Sequence, residues 1–140
     1  MDIVDQEVQR VIARQEKQLV LEMGELYKRK YELMNEQAAI QYAKQIAKKL
    51  DINYGSALCV VHWLEELLEI YPQDKSEADI SAKKRQRLIH LGRLIKIAAG
   101  EKGLTFCKNQ LPPYAVKNFE SLLDYNDEWK KNKLNRTITY

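Results

Sequence analysis

Apolar residues recur every seven positions through the first third of the chain. Ile12, Leu19, Leu26, Leu33, Ile40 and Ala47 make up the series. Seven residues are close to two helical turns, so all six fall on one side of an α-helix, and no strand carries that period. Leu19, Met23, Leu26, Tyr27, Leu33 and Met34 widen the series into a stripe. The second seam of a coiled coil is interrupted by Glu16, Lys30 and Gln37. The spacing therefore predicts a long helix, or a helical hairpin, over residues 5–50 that packs on its own domain. Asp5 is its expected N-cap. Gly24 is its expected bend, because glycine costs about 1 kcal/mol against alanine inside a helix.

The rest of the chain reads the same way. Five glycines and three prolines in 140 residues suit long helices and not a loop-rich β architecture. An apolar fraction of 45% with 31% charged residues belongs to a globular chain, not a disordered one. The fold class expected is all-α: one compact multi-helix domain over residues 1–140, with a long N-terminal helix or hairpin (1–52). A central helix follows (53–71), capped by Asp51 or Asn53 and ended by Pro72. Ala57, Val60, Val61, Leu64, Leu67, Leu68 and Tyr71 share one of its faces, and Leu58, Trp63 and Ile70 add apolar surface elsewhere. Residues 72–80 are a polar linker. Ser81 or Asp79 caps a third helix (81–99) with a stripe of Leu88, Leu91, Ile95, Ala98 and Ala99, stopping at Gly100. Residues 103–109 are expected to be extended. Pro113 opens a last helix (113–131) that buries Val116, Phe119, Leu122, Leu123 and Trp129. The basic tail from Lys130 is expected to fray.

Catalytic patterns are not found. A nucleophile needs a neighbouring base that a third group orients. The only histidines, His62 and His90, sit in no such setting, and no phosphate-cradling glycine loop occurs. Glu65, Glu66 and Glu69 read as a solvated helix face. Cys59 and His62 share a helix face, and with His90 and Cys107 they make the set for a tetrahedral zinc site, although the spacing fits no zinc finger. The reading is therefore not an enzyme, with no cofactor and no metal. The start carries neither a basic nor an apolar leader region, and no apolar run reaches the ~20 residues of a membrane span. A cytoplasmic protein with free thiols is expected, so the acceptor pattern Asn135-Arg136-Thr137 carries no weight.

Charge is distributed unevenly. Residues 1–52 are net neutral, residues 53–82 carry −5, and residues 83–140 carry +8. Lys83, Lys84, Arg85, Arg87, Arg93 and Lys96 lie on the third helix with no acid between Ser81 and Gly100. Such a helix can track phosphates, or it can pair with the acidic stretch before it. The segment from Gln45 to Leu64 is laid out as a helix-turn-helix. Ala47 is the small crossing residue, Leu50 and Ile52 flank the turn, and Ala57 and Val60 form the inner side of the second helix. In this it resembles the winged-helix domains of bacterial DNA translocases and many regulators. The resemblance implies that Asn53, Tyr54, Ser56, Cys59 and His62 face the major groove and that Gly55 approaches a phosphate. Asp51 departs from it, standing where glycine is commonest, and so do the missing wing and the acidic end of the second helix.

Two functions are thus expected. One is a small DNA-binding regulator of phage, plasmid or bacterial type, contacting duplex DNA and dimerising through the N-terminal helix. The other is a helical protein-interaction module: an adaptor, a complex subunit or a small inhibitor of a larger enzyme.

Overall fold

The computed structural model describes residues 3–138, with side chains described up to residue 125. The fold is all-α, with five helices and no strand among the described residues: α1 (Ile3–Leu33), α2 (Gln37–Leu50), α3 (Tyr54–Ile70), α4 (Ala82–Gln110) and α5 (Pro113–Ile138).

The long N-terminal segment divides at Asn35, not at Gly24. Asn35 has φ 52°, and the Glu36 N–H donates to the Tyr31 carbonyl at 3.0 Å. Asparagine tolerates this left-handed conformation better than most side chains, so Leu33-Met34-Asn35-Glu36 ends one helix and begins another. Asp51 repeats the device with φ 54°, and the Ile52 N–H donates to the Ala47 carbonyl. Gly24 has a different task. A Cβ there would lie 3.1 Å from the backbone carbonyl of Gly55, so α1 and α3 cross with their main chains nearly in contact.

Helix α3 is the centre of the molecule, packed by α1, α2 and α4. Asn53 caps it by accepting from the Ser56 N–H at 2.8 Å. Leu58, Trp63 and Leu67 have no exposed surface. Burial of this completeness contributes roughly 1.5–3 kcal/mol for each of the two leucines. The apolar character on most sides of this helix follows from its position. Tyr71, just past its end, is buried and donates to Asn118 Oδ1 at 2.6 Å, which ties it to α5.

Ser81 caps α4 by accepting from the Lys84 N–H. Leu88, Leu91, Ile95 and Ala99 are buried as the stripe requires. At Gly100 the backbone takes φ 70° and ψ −168°, so the helix breaks there and restarts. Residues 103–109 are helical, not extended. Leu104, Phe106 and Cys107 are buried, and the Phe106 ring meets Tyr42 of α2 at 6.3 Å and lies under the Lys49 ammonium at 5.3 Å. Tertiary burial outweighs the modest helix propensity of Thr105-Phe106-Cys107. Pro113 is the first residue of α5, whose Ala115 and Phe119 are buried. Trp129 and the basic tail from Lys130 lie outside the residues whose side chains are described.

Candidate interaction surfaces

The segment from Gln45 to Leu64 comprises the end of α2, the turn at residues 51–53 and most of α3. Its second helix does not stand on the surface. Ser56 is 8% exposed and Cys59 is fully buried. Gly55 is half-buried, with the Gly24 backbone of α1 against it. His62 is half-buried, stacked on Tyr27 with ring centroids 4.1 Å apart. Asn53 is exposed but holds the α3 cap, and Tyr54 is half-buried. A helix that enters a major groove must present its first turns to the DNA. Here α1 lies against that face: Gly24 meets Gly55, Cys59 donates to the Val20 carbonyl, and the Ser56 and Cys59 side chains are buried.

The six cationic residues Lys83, Lys84, Arg85, Arg87, Arg93 and Lys96 lie on α4 and divide into two sets. Arg87 reaches back to α3, where Nε and Nη2 donate to the two carboxylate oxygens of Glu66, each at 2.8 Å. Arg93 pairs with Glu16 of α1. Lys96 pairs with Glu101 beyond the Gly100 break at 2.8 Å. Three of the six therefore meet acids of their own fold. One belongs to the acidic 53–82 stretch, as the charge asymmetry allowed. Lys83, Lys84 and Arg85 are exposed in the first turn of α4, with no ion pair among the described residues. At 100° per residue these three also point in three directions around the axis.

One polar cluster was not legible in the sequence. The Tyr31 hydroxyl lies 3.3 Å from His62 Nδ1 and 3.4 Å from Glu65 Oε2, bridging α1 to α3. Burial is the main cause that raises Tyr31 above the ordinary tyrosine range, with Glu65 adding to it. Burial and Lys30 hold His62 below 6.5, and burial with Glu36 raises Glu65. These hydrogen bonds give the buried Tyr31 hydroxyl two polar partners at the edge of the core. Cys59 and Cys107 are buried and unbridged, each pushed up to about 12 by burial, and Cys59 donates to the Val20 carbonyl. His90 is exposed. The four residues of the zinc set are not brought together, and among the described residues no group of three or more potential ligands could hold a metal.

Among the described residues, most of the exposed large apolar side chains lie on α1. Val4, Val8, Val11, Leu19, Leu26 and Leu33 are 64, 49, 45, 46, 60 and 80% exposed. The face of α1 that packs against the body is a different one, built on Val20, Gly24, Tyr27 and Tyr31. The heptad series thus divides at the break: Ile12, Leu19, Leu26 and Leu33 of α1 are exposed, Ile40 of α2 is buried and Ala47 half-buried.

The chain matches no protein-family model, no curated protein and no solved structure. Among the described residues, no helix is long and apolar enough to cross a membrane.

Proposed function

We propose that this chain is a non-catalytic helical interaction module whose contact element is the outer face of α1. The observation that carries the reading is the row of exposed Val4, Val8, Val11, Leu19, Leu26 and Leu33 along one helix. Apolar side chains scattered singly on a surface need no explanation, but six aligned on one helix face, with Gln15, Glu22 and Arg29 between them, are the pattern of a partner surface. The buried, unbridged thiols support a reducing, cytoplasmic setting.

Affinity capture from a nuclease-treated extract of the cells that make the chain tests the reading. Wild-type chain and a Val11→Asp/Leu26→Asp variant are compared. A protein species held by the first and lost from the second is the expected result. Equal recovery on both would overturn the proposal.

Nucleic-acid binding is the second reading, favoured by Lys83, Lys84 and Arg85 at the positive end of α4. Three phosphate contacts give a salt slope of about −2.7, so a fourfold rise in salt should weaken duplex DNA binding about 40-fold. Binding that ignores salt, or that survives conversion of all three residues to Glu, would remove it.

A further inference from the structure

The first four turns of α1 stand clear of the domain. Every residue from Ile3 to Gln15 is exposed. Where the body-packing face of α1 would continue, the residues are Gln6, Gln9 and Ala13, which ask for no partner. The apolar residues Val4, Val8, Val11 and Ile12 lie on the outward side instead, so what they require lies outside the domain. Five of the first ten residues of the helix are β-branched: Ile3, Val4, Val8, Val11 and Ile12. Such residues lose side-chain freedom in an exposed helix with no packing in return.

The outward stripe continues down the whole helix at a spacing of eleven. Val4, Gln15 and Leu26 form one series, Val8, Leu19 and Lys30 a second, and Val11, Glu22 and Leu33 a third. Eleven residues make almost three whole turns, so these series stay on one side of a nearly straight helix. A 31-residue helix is about 46 Å long, and the stripe runs its length.

We infer that this face is covered by the same face of a second copy of the chain, lying antiparallel to it. The inference rests on the reading of α1 as the contact element. Charge decides the orientation. A parallel pair in register would set Glu22 on Glu22 and Arg29 on Arg29 within the seam. An antiparallel pair with its two-fold axis between residues 18 and 19 avoids both. It sets Val4 against Leu33 of the second copy, Val11 against Leu26, and Gln15 against Glu22. Val8 lies under the aliphatic stem of Arg29, whose charged end reaches water. Along the edges Asp5 meets Lys30 and Arg14 meets Glu25, each twice by symmetry. Glu7 falls opposite Glu32 and keeps Arg10, its partner at 2.9 Å within its own helix. Two helices of this length share a strip about 10 Å wide, roughly 900 Å² over both copies, which is the size of a weak, concentration-dependent association.

Sedimentation equilibrium of the full chain over a range reaching about 100 µM tests it. The expected mass rises with concentration from 16.4 kDa toward twice that value. Arg14→Glu should weaken association about tenfold, and so should Glu25→Arg. The double variant, with both charges reversed, should recover it. The stripe variant Val11→Asp/Leu26→Asp should stay monomeric and keep its thermal midpoint, since neither side chain belongs to the core. A constant 16.4 kDa mass at every concentration overturns the inference. Single reversals that the double variant does not rescue overturn the antiparallel register. A monomeric chain whose stripe still captures another protein overturns the second copy as occupant and leaves the interaction module standing.

Discussion

Gly24 and Gly55 face each other across the α1–α3 crossing, but they are not equivalent. A Cβ on Gly24 meets Gly55 backbone atoms at 3.1–3.2 Å, whereas one on Gly55 meets only ordinary contacts of 3.5 Å and beyond. Gly24→Val should therefore destabilise the fold by about 1–3 kcal/mol, and Gly55→Ala, with no such clash, should leave stability unchanged or raise it by up to about 1 kcal/mol. Gly100 makes a third case. Nothing lies within 4 Å of a Cβ there, yet φ 70° with ψ −168° is open essentially to glycine alone. Gly100→Ala should cost about 1–3 kcal/mol through backbone strain. Urea unfolding of the four proteins ranks these effects. His62 supplies a pH dependence. Its pKa in the fold lies below the 6.5 of an open chain, chiefly through burial and then through Lys30. Acidification through pH 6.5 thus protonates the unfolded chain first, and stability falls as pH drops. The thermal midpoint should decline from pH 7.5 to 5.5, less so in His62→Phe, which keeps a ring against Tyr27. On the alkaline side, Cys59 and Cys107 keep their protons to about 12 while unfolded thiols lose theirs near 9.0. Stability contributed by the buried thiols is present below pH 9 and is lost as pH rises above it. Neither thiol should react with a disulfide reagent at pH 8 until the chain unfolds.

At the scale of elements, the helix α3 was legible in the sequence because local signals bracket its apolar run, although the cap stayed open between Asp51 and Asn53, and that of the next helix between Asp79 and Ser81. Asn53 sits immediately before an apolar run, Pro72 immediately after it, and Ser81 before the next helix. The location of the α1–α2 break was not legible. Asn35 lies in a stretch with no glycine or proline, and the heptad spacing runs through the turn without losing phase, so Leu33 and Ile40 look continuous. The helical form of residues 103–109 was not legible, because Thr105, Phe106 and Cys107 favour strands and the contacts of Phe106 with Tyr42 and Lys49 are remote in sequence. The basic helix was legible as a composition but not as a surface, since the acids that meet Arg87 and Arg93 lie 21 and 77 residues away. The Arg87–Glu66 pair is two-pronged, but the arginine is 41% exposed, so its worth is discounted for solvent screening. Arg87→Ala should lower stability by about 0.5–1 kcal/mol. A double-mutant cycle with Glu66→Gln should give coupling that shrinks as salt is added.

The whole molecule has two parts of unequal standing. A body of α2, α3, α4, the start of α5 and the second half of α1 encloses the core, while the first half of α1 buries nothing. Removal of residues 1–15 should leave the thermal midpoint within a few degrees of the full chain, because Glu16, Val20, Gly24 and Tyr31 stay in place. A loss of cooperative unfolding in that truncated chain would refute this division. The central position of α3 has a further consequence for how the chain is made. Synthesis runs from the N-terminus, and α3 emerges before the helix that covers its far side. Until Leu88, Leu91 and Ile95 follow, the most apolar helix of the protein has walls only from α1 and α2. The nascent chain must keep one face of that helix from other chains for about the time needed to add 25 residues, a second or more at ordinary elongation rates.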